Sequence, residues 1–322
     1  MLCTYLPGRC AGLSLAGPHH NAHRLRSRRS RLLSGDKMLT FLVATDFTPR
    51  SDRAIRRAVL AARKAGARLA LVHAMAKESD DAITLERKAD RLQTLLAESA
   101  DTIIHHDGVP CEYRLITGSE CRALTETARE LSAELIVLGP HKPNLLEDVF
   151  LGTIAELVLK EAPYPVLIAN GVPSATYSNI LIATDFSDSS MRAALTADAI
   201  GLLEDVRVIA SHAFETQDPG GVQPALISLS DDPQASERHE AEQAMREYVR
   251  ATGIAPSKTV IVPMVTATAE MIRRIAERER ADLVVIGTNR RSGIEKFVLG
   301  SVAQDFVRDA IIDVLVVPIA SA

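Results

Sequence analysis

The sequence predicts an α/β protein made of two copies of one doubly wound unit, each a parallel sheet with helices on both faces. Three observations carry that prediction. Short continuous apolar runs alternate with longer segments of helical spacing, the order that produces parallel strands joined by crossover helices. The series restarts midway: Ile180-Leu181-Ile182-Ala183-Thr184-Asp185-Phe186 repeats Phe41-Leu42-Val43-Ala44-Thr45-Asp46-Phe47 almost letter for letter. A strand ending in glycine, a loop and a helix start also occur twice, around Gly139 with Gly152-Thr153 and around Gly287 with Gly300-Ser301. Two copies of one supersecondary unit explain all three.

In chain order, residues 1–37 carry Pro, Gly, His and Arg without an apolar period, and disorder is expected there. Their Arg cluster comes last, the reverse of a secretory signal. An over-extended start, with Met38 the true first residue, is the simpler reading; a transit peptide also fits the Arg and Ser content. Leu39 to Ala44 is the first strand. Thr48 can cap a helix with Pro49 at its first position, and Gly66 ends it. Arg68 to His73 is the second strand and Asp80 to His106 a long helix. Pro110 to Ile116 is the third strand, and Ser119 opens the next helix, with Arg122 where a capping box would place Glu or Gln. Glu134 to Leu138 is the fourth strand, Gly152-Thr153 opens a helix to Glu161, and Tyr164 to Ala169 is the fifth strand.

A linker over 171–178 follows, and the second unit covers 179–322. Its fourth strand, Asp282 to Ile286, should stop at Gly287, and Val302 to Val307 has helical spacing. The nine extra residues of the second copy fall near Gln217 to Pro233, a Pro, Gly, Ser and Asp-rich loop. In such sheets ligands sit beyond the carboxyl ends of the strands, where the strand order reverses. Glycine loops leading into helix starts suit phosphate there, because free N–H groups and the helix dipole face the anion.

Composition narrows the function. Net charge is −4 overall, yet residues 1–37 carry +6, so the remaining chain is at −10. Together with 4% aromatics and no Trp, that disfavours a nucleic-acid partner. No apolar run reaches membrane-spanning length. The cysteines Cys3, Cys10, Cys111 and Cys121 lack framework spacing, so thiols in a reducing cytoplasm are expected. His73, His105, His106, His141, Cys111 and Cys121 fit no zinc pattern, and no metal centre is predicted. No nucleophile elbow or P-loop appears, and no catalytic set stands out. The mixed run from Glu270 to Arg280 reads as a solvated helix face. Cys121, at a helix start, is either a thiol of lowered pKa or a buried small residue.

With these marks in place, residues 38–322 resemble a tandem universal stress protein. The marks are Ala-Thr-Asp-Phe after strand one, His-Ala after strand two (His73-Ala74 and His212-Ala213), the strand-four glycine followed by Gly-Ser/Thr, and proline beside the fifth strand. The resemblance implies two flavodoxin-like (adenine nucleotide alpha hydrolase-like) domains, each a five-stranded parallel sheet of order 3-2-1-4-5. It also implies pairing through fifth strands into an intramolecular pseudo-dimer, with a further homodimer and an unknown protein partner open. ATP, with Mg, would lie across strands one and four. The ATP-binding pattern is Gly, two residues, Gly, nine residues, Gly-Ser/Thr; here Lys142 and Arg290 replace its middle glycine. Either cation could fill the ribose–phosphate space or grip a phosphate.

Carried over residue by residue, the second unit's site is Ala183, Thr184, Asp185, Ala213, Ile286, Gly287, Asn289, Arg290, Gly300, Ser301 and Val302. Ala213 would meet adenine through its backbone, and Ser301 with the amides of Ser301 and Val302 would hold phosphate. In the first unit the matching set is Thr45, Asp46, Ala74, Gly139, Lys142, Gly152 and Thr153. Its loop is degenerate, because Pro140 and Pro143 each remove an N–H. Asp46 and Asp185 are equally readable as acids that shape the first turn. The expected function is a cytoplasmic stress-response module that binds a nucleotide, with at most slow ATP hydrolysis. The rival is an interaction scaffold, or a sensor of another small ligand. An adenine-nucleotide hydrolase would need a Ser-Gly-Gly-x-Asp-Ser loop after strand one, which neither copy has.

Overall fold

A computed structural model describes residues 38–76, 81–140, 154–215, 235–288 and 300–318. The first unit runs β1 (Thr40–Ala44), α1 (Pro49–Ala65), β2 (Arg68–Met75), α2 (Ala82–Thr102), β3 (Cys111–Thr117), α3 (Glu120–Glu130), β4 (Leu135–Leu138), α4 (Ile154–Glu161) and β5 (Val166–Ile168). The second runs β6 (Asn179–Ala183), α5 (Asp188–Ala199), β7 (Arg207–Phe214), α6 (Ala235–Thr252), β8 (Lys258–Pro263), α7 (Thr268–Glu279), β9 (Leu283–Thr288), α8 (Ser301–Asp309) and β10 (Asp313–Pro318). The predicted loop near 217–233 and the 1–37 segment lie outside the described residues.

The ten strands form one sheet in the order β3-β2-β1-β4-β5-β10-β9-β6-β7-β8. Pairing is parallel within each half. Where the halves meet it is antiparallel, with Leu315 opposite Leu167 and Val316 opposite Val166. The inner strands are apolar on both faces, as a sheet covered by helices on both sides requires, while the edge strands β3 and β8 carry polar, partly exposed residues. Phe41, Val43, Leu69 and Leu71 point to one face with Ile180, Ile182 and Val285. Leu42, Ile136, Leu181, Ile209 and Val284 point to the other. Each face is therefore one core that runs across both halves.

Local signals place the helix ends. Gly66 closes α1 in the left-handed region at φ 63°. The long second helix starts at Ala82, where the Asp81 side chain accepts the N–H of Thr84 at 3.0 Å. Over Ile103–Asp107 it loosens into a π turn, short of a regular helix to His106. There Asp107 accepts from Arg56 at 2.7 Å and from Arg63, tying the turn to α1. Arg122 makes no cap and pairs with Glu126 one turn on. The fourth strand of the second half continues past Gly287, because Val317 and Pro318 of β10 pair with Gly287 and Thr288. His73 and His212 lie inside β2 and β7, not beyond them, because β3 and β8 pair along the longer strands.

Arg57 and Asp313 join the halves at the linker. Asp313 is fully buried at the start of β10 and accepts from Gly171 N–H and the Tyr177 hydroxyl, each at 2.7 Å. Arg57 of α1 places Nε 2.6 Å from Oδ2, the oxygen that also accepts the Tyr177 hydroxyl; it donates to the Ala175 carbonyl at 2.8 Å and stacks 4.3 Å over the Tyr177 ring.

A second buried acid anchors one sheet end. Glu279 is held by Lys258, Arg207 and Arg278 at 2.8, 2.9 and 3.2 Å. Lys258 first, then the arginines, outweigh its burial and bring its pKa from 4.5 to about 2. A carboxyl lowered on folding contributes stability that is complete above its unfolded pKa and is lost as pH falls toward the folded one. Thermal melts should therefore show Glu279→Gln less stable than wild type above pH 5. The difference should shrink as pH falls below 4.5 and be lost only below about pH 2. A constant difference across that window would reject this origin.

Candidate functional site

The first βα turn of each half is a compact hydrogen-bonded unit, and the two copies match. In the second half, Thr184 Oγ1 accepts the Phe186 N–H at 2.9 Å and meets Ser190 Oγ at 2.9 Å. Asp185 Oδ1 accepts both the N–H and the hydroxyl of Ser187. In the first half, Thr45 Oγ1 accepts the Phe47 N–H at 3.1 Å and bonds Ser51, while Asp46 Oδ1 accepts the N–H and hydroxyl of Thr48. The Thr48 hydroxyl thus donates to Asp46, while Thr48 and Ser51 form the capping box that opens α1. Both aspartates act as turn acids, as one of the two sequence readings had it. Partial burial raises the Asp46 carboxyl, but the hydrogen bonds from Thr48 and Ser51 outweigh it and the net shift is down.

Phe47 and Phe186 sit in the left-handed region, at φ 57° and 62°, which is costly for a bulky side chain. Their rings offset that cost by packing on histidines: Phe47 on His73 at 5.0 Å, Phe186 on His212 at 4.2 Å. Each histidine in turn bonds through Nδ1 to the carbonyl of the turn threonine, Thr45 at 2.7 Å and Thr184 at 2.8 Å.

Beside this turn, at the carboxyl ends of β6, β7 and β9, the second half has a cleft of about 430 Å³. Its floor includes Ala183, Thr184, Ala213, Ile286 and Gly287, and Val302 of α8 closes one side. Ile272, Ile275 and Thr268 of α7 form an apolar wall with Met264, whose thioether accepts from Thr268 at 3.3 Å. Asp185 and Glu215 bring two carboxylates to it. The site therefore offers an apolar slot for a flat group and acceptors for hydroxyls or amines.

Of the eleven sequence-predicted residues in this half, seven line the cleft: Ala183, Thr184, Asp185, Ala213, Ile286, Gly287 and Val302. Gly300 and Ser301 stand at the N-terminus of α8 and are not among its lining residues. Asn289 and Arg290 lie outside the described residues. In the first half, Thr45 and Asp46 shape the turn, Ala74 lies in β2 opposite Ile116, and Gly139 follows β4. Lys142, Gly152 and Thr153 lie outside the described residues. Sequence reasoning missed Ser190, Ser211, His212, Phe214, Glu215, Met264 and the wall from α7 as site residues. The Ile272 and Ile275 spacing was visible, but it signals only an inward face.

The strand-four glycines have a packing role that the loop reading did not foresee. A Cβ on Gly287 would lie 2.4 Å from the Ser189 carbonyl oxygen, and one on Gly139 would lie 2.8 Å from that of Arg50. Both contacts are with backbone in the first turn of α5 or α1, so the helix needs glycine beneath it whatever the cleft holds.

The remaining candidates resolve simply. Cys121 is buried, and burial with the nearby Glu161 pushes its thiol to about 11, so it is the small buried residue and no reactive thiol. Cys111 is pushed to about 11 by burial. Among the described residues no cluster of His, Cys, Asp and Glu could hold a metal. None of their helices is long and apolar enough to cross a membrane. Arg273 and Arg274 pair with Glu270 on the outer face of α7.

Comparison with known proteins fits this architecture. The universal stress protein family model matches the chain twice, over residues 38–170 and 176–318. A universal stress protein of Methanocaldococcus jannaschii is 33% identical over 153 residues, 47% of this chain and 86% of that protein. A putative universal stress protein of Staphylococcus aureus is 29% identical over 144 residues, 44% of this chain and 84% of that protein. The crystal structure of a universal stress protein from Archaeoglobus fulgidus aligns with TM-score 0.65 at 18% identity, covering 87% of this chain and 98% of that one, and shows a shared fold. The chain belongs to the universal stress protein family and carries two copies of its domain in tandem.

Proposed function

We propose that the cleft of the second half binds an adenine nucleotide, ATP with magnesium first among them, and that the protein is a stress-response module that senses this ligand without useful turnover. The cleft itself carries the reading. It lies at the carboxyl ends of the strands where β6 and β9 meet, the place where doubly wound sheets bind ligands. Its apolar wall suits a base, and Asp185 and Glu215 suit ribose hydroxyls. The phosphates would then run toward the N-terminus of α8, whose first N–H groups favour an anion.

One observation favours the rival, a scaffold that holds a protein partner and no nucleotide. Since backbone packing alone demands glycine at 139 and 287, that part of the family motif is explained without a ligand. Melting the full chain with and without Mg-ATP decides between them. At 100 times its dissociation constant, ATP should stabilise the chain by about 2.7 kcal/mol. An unchanged melt at millimolar Mg-ATP would reject the nucleotide reading in favour of the scaffold.

A further inference from the structure

We propose that β3 is a dimerisation edge: two copies of the chain pair there antiparallel about a two-fold axis at Tyr113, with Glu112 of each copy opposite Arg114 of the other. The proposal does not depend on what the cleft of the second half holds.

The ladder shows which groups are free. β3 ends the sheet on one side, and among the described residues no strand pairs with its outer edge. The Pro110 carbonyl accepts from Leu69 N–H at 2.8 Å, and Gly118 N–H donates to the Met75 carbonyl at 3.0 Å. Successive residues of a strand turn their N–H and C=O groups to opposite sides, so between those bonds Glu112, Arg114 and Ile116 pair with β2. Cys111, Tyr113 and Leu115 then present their backbone groups outward, a template for another strand. The opposite edge of the sheet is β8, which runs from Lys258 to Pro263, and lysine and proline are residues that blunt an edge. β3 reads Cys-Glu-Tyr-Arg-Leu-Ile-Thr and has neither. Tyr113, at its centre, is 43% exposed.

Charge selects both the occupant and the register. A two-fold axis at Glu112 or at Arg114 would set like charges directly opposite each other, which is destabilising. An axis at Tyr113 sets Glu112 of each copy opposite Arg114 of the other. Tyr113 then meets its own counterpart in a pair that exchanges both N–H···O bonds, and Cys111 meets Leu115 in the same way. The Glu112 and Arg114 positions fall in the closely spaced pairs between them, where side chains approach best. Within one chain the two ions are held loosely. Arg114 is 3.7 Å from Glu112 Oε1, and that oxygen is shielded from water without a hydrogen bond among the described residues. The Arg114 side chain is half exposed, so it can reach across the seam. The complementarity is that of β3 with itself, which is why the occupant is a second copy of this chain.

Sedimentation equilibrium of the full chain tests this, with thermal melts to show that each variant is folded. Wild type should be dimeric at micromolar concentration. Arg114→Glu and Glu112→Arg each turn two attractive pairs into two repulsive ones and should weaken association by about tenfold or more. Mixed together, the two variants should form a heterodimer, because every pair across the seam is again opposite in charge. The double variant that exchanges both residues, Glu112→Arg with Arg114→Glu, should dimerise as wild type does. A monomeric wild type would overturn the proposal. So would a dimer that survives both single reversals, or a mixture no more associated than its components, since either places the contact elsewhere on the surface.

Discussion

Replacing Asp313 with alanine is expected to destabilise the whole chain by about 3–5 kcal/mol, the cost of breaking a buried ion pair by removing one partner. The carboxylate is fully buried, and three groups from separate parts of the chain depend on it. Without it, the Arg57 guanidinium keeps its charge in the core while losing the carboxylate 2.6 Å away, and retains the Ala175 carbonyl and the Tyr177 ring. The Tyr177 hydroxyl and Gly171 N–H lose their acceptor as well. Asp313→Asn should recover part of the loss, since an amide oxygen still accepts but the charge stays unpaired. Pairing Asp313→Ala with Arg57→Ala should cost clearly less than the two single losses added, because the double variant leaves no orphaned charge. Urea denaturation measures all of this. A loss below 1 kcal/mol, or strict additivity of the double variant, would show that the clasp is not coupled. Since the clasp joins α1, the linker and β10, its loss should also let the halves unfold in separate transitions where the intact chain unfolds in one.

Gly287→Ala comes next in size, at about 1–3 kcal/mol or more for overpacking. The added carbon would stand 2.4 Å from Ser189 O, 2.5 Å from Ser189 C and 2.8 Å from Ser190 N. These are backbone atoms in the first turn of α5 and cannot swing aside as a side chain could. The helix must lift, carrying Ser190 away from Thr184, and both line the cleft. The same change at Gly139 should cost less, because its nearest contact is 2.8 Å, with Arg50 O. Equal losses at the two positions in denaturant melts would refute this ranking.

The amino-acid sequence alone determined the elements, the duplication and much of the cleft. Alternating apolar runs and helical segments report burial directly. The letter-for-letter return of Ala-Thr-Asp-Phe marks a second copy without any structural knowledge. Ala183, Thr184, Asp185, Ala213, Ile286, Gly287 and Val302 were nameable because the resemblance to the universal stress proteins carries site positions over onto the strand ends and a helix start.

Tertiary structure decided the rest, and the reason is distance along the chain. Tyr177 and Asp313 are 136 residues apart, so no local pattern couples them. The glycine at 287 looked like a loop for phosphate, yet the atom that excludes a side chain there belongs to Ser189, nearly a hundred positions earlier. The wall of α7 was legible only as an amphipathic helix: its charged face pairs within itself and with α8. That Ile272 and Ile275, buried in the core, also border a cleft depends on how far α7 stands from the end of β7. Periodicity tells which side of an element turns inward; only the packing of neighbours tells whether that side meets another side chain or an opening.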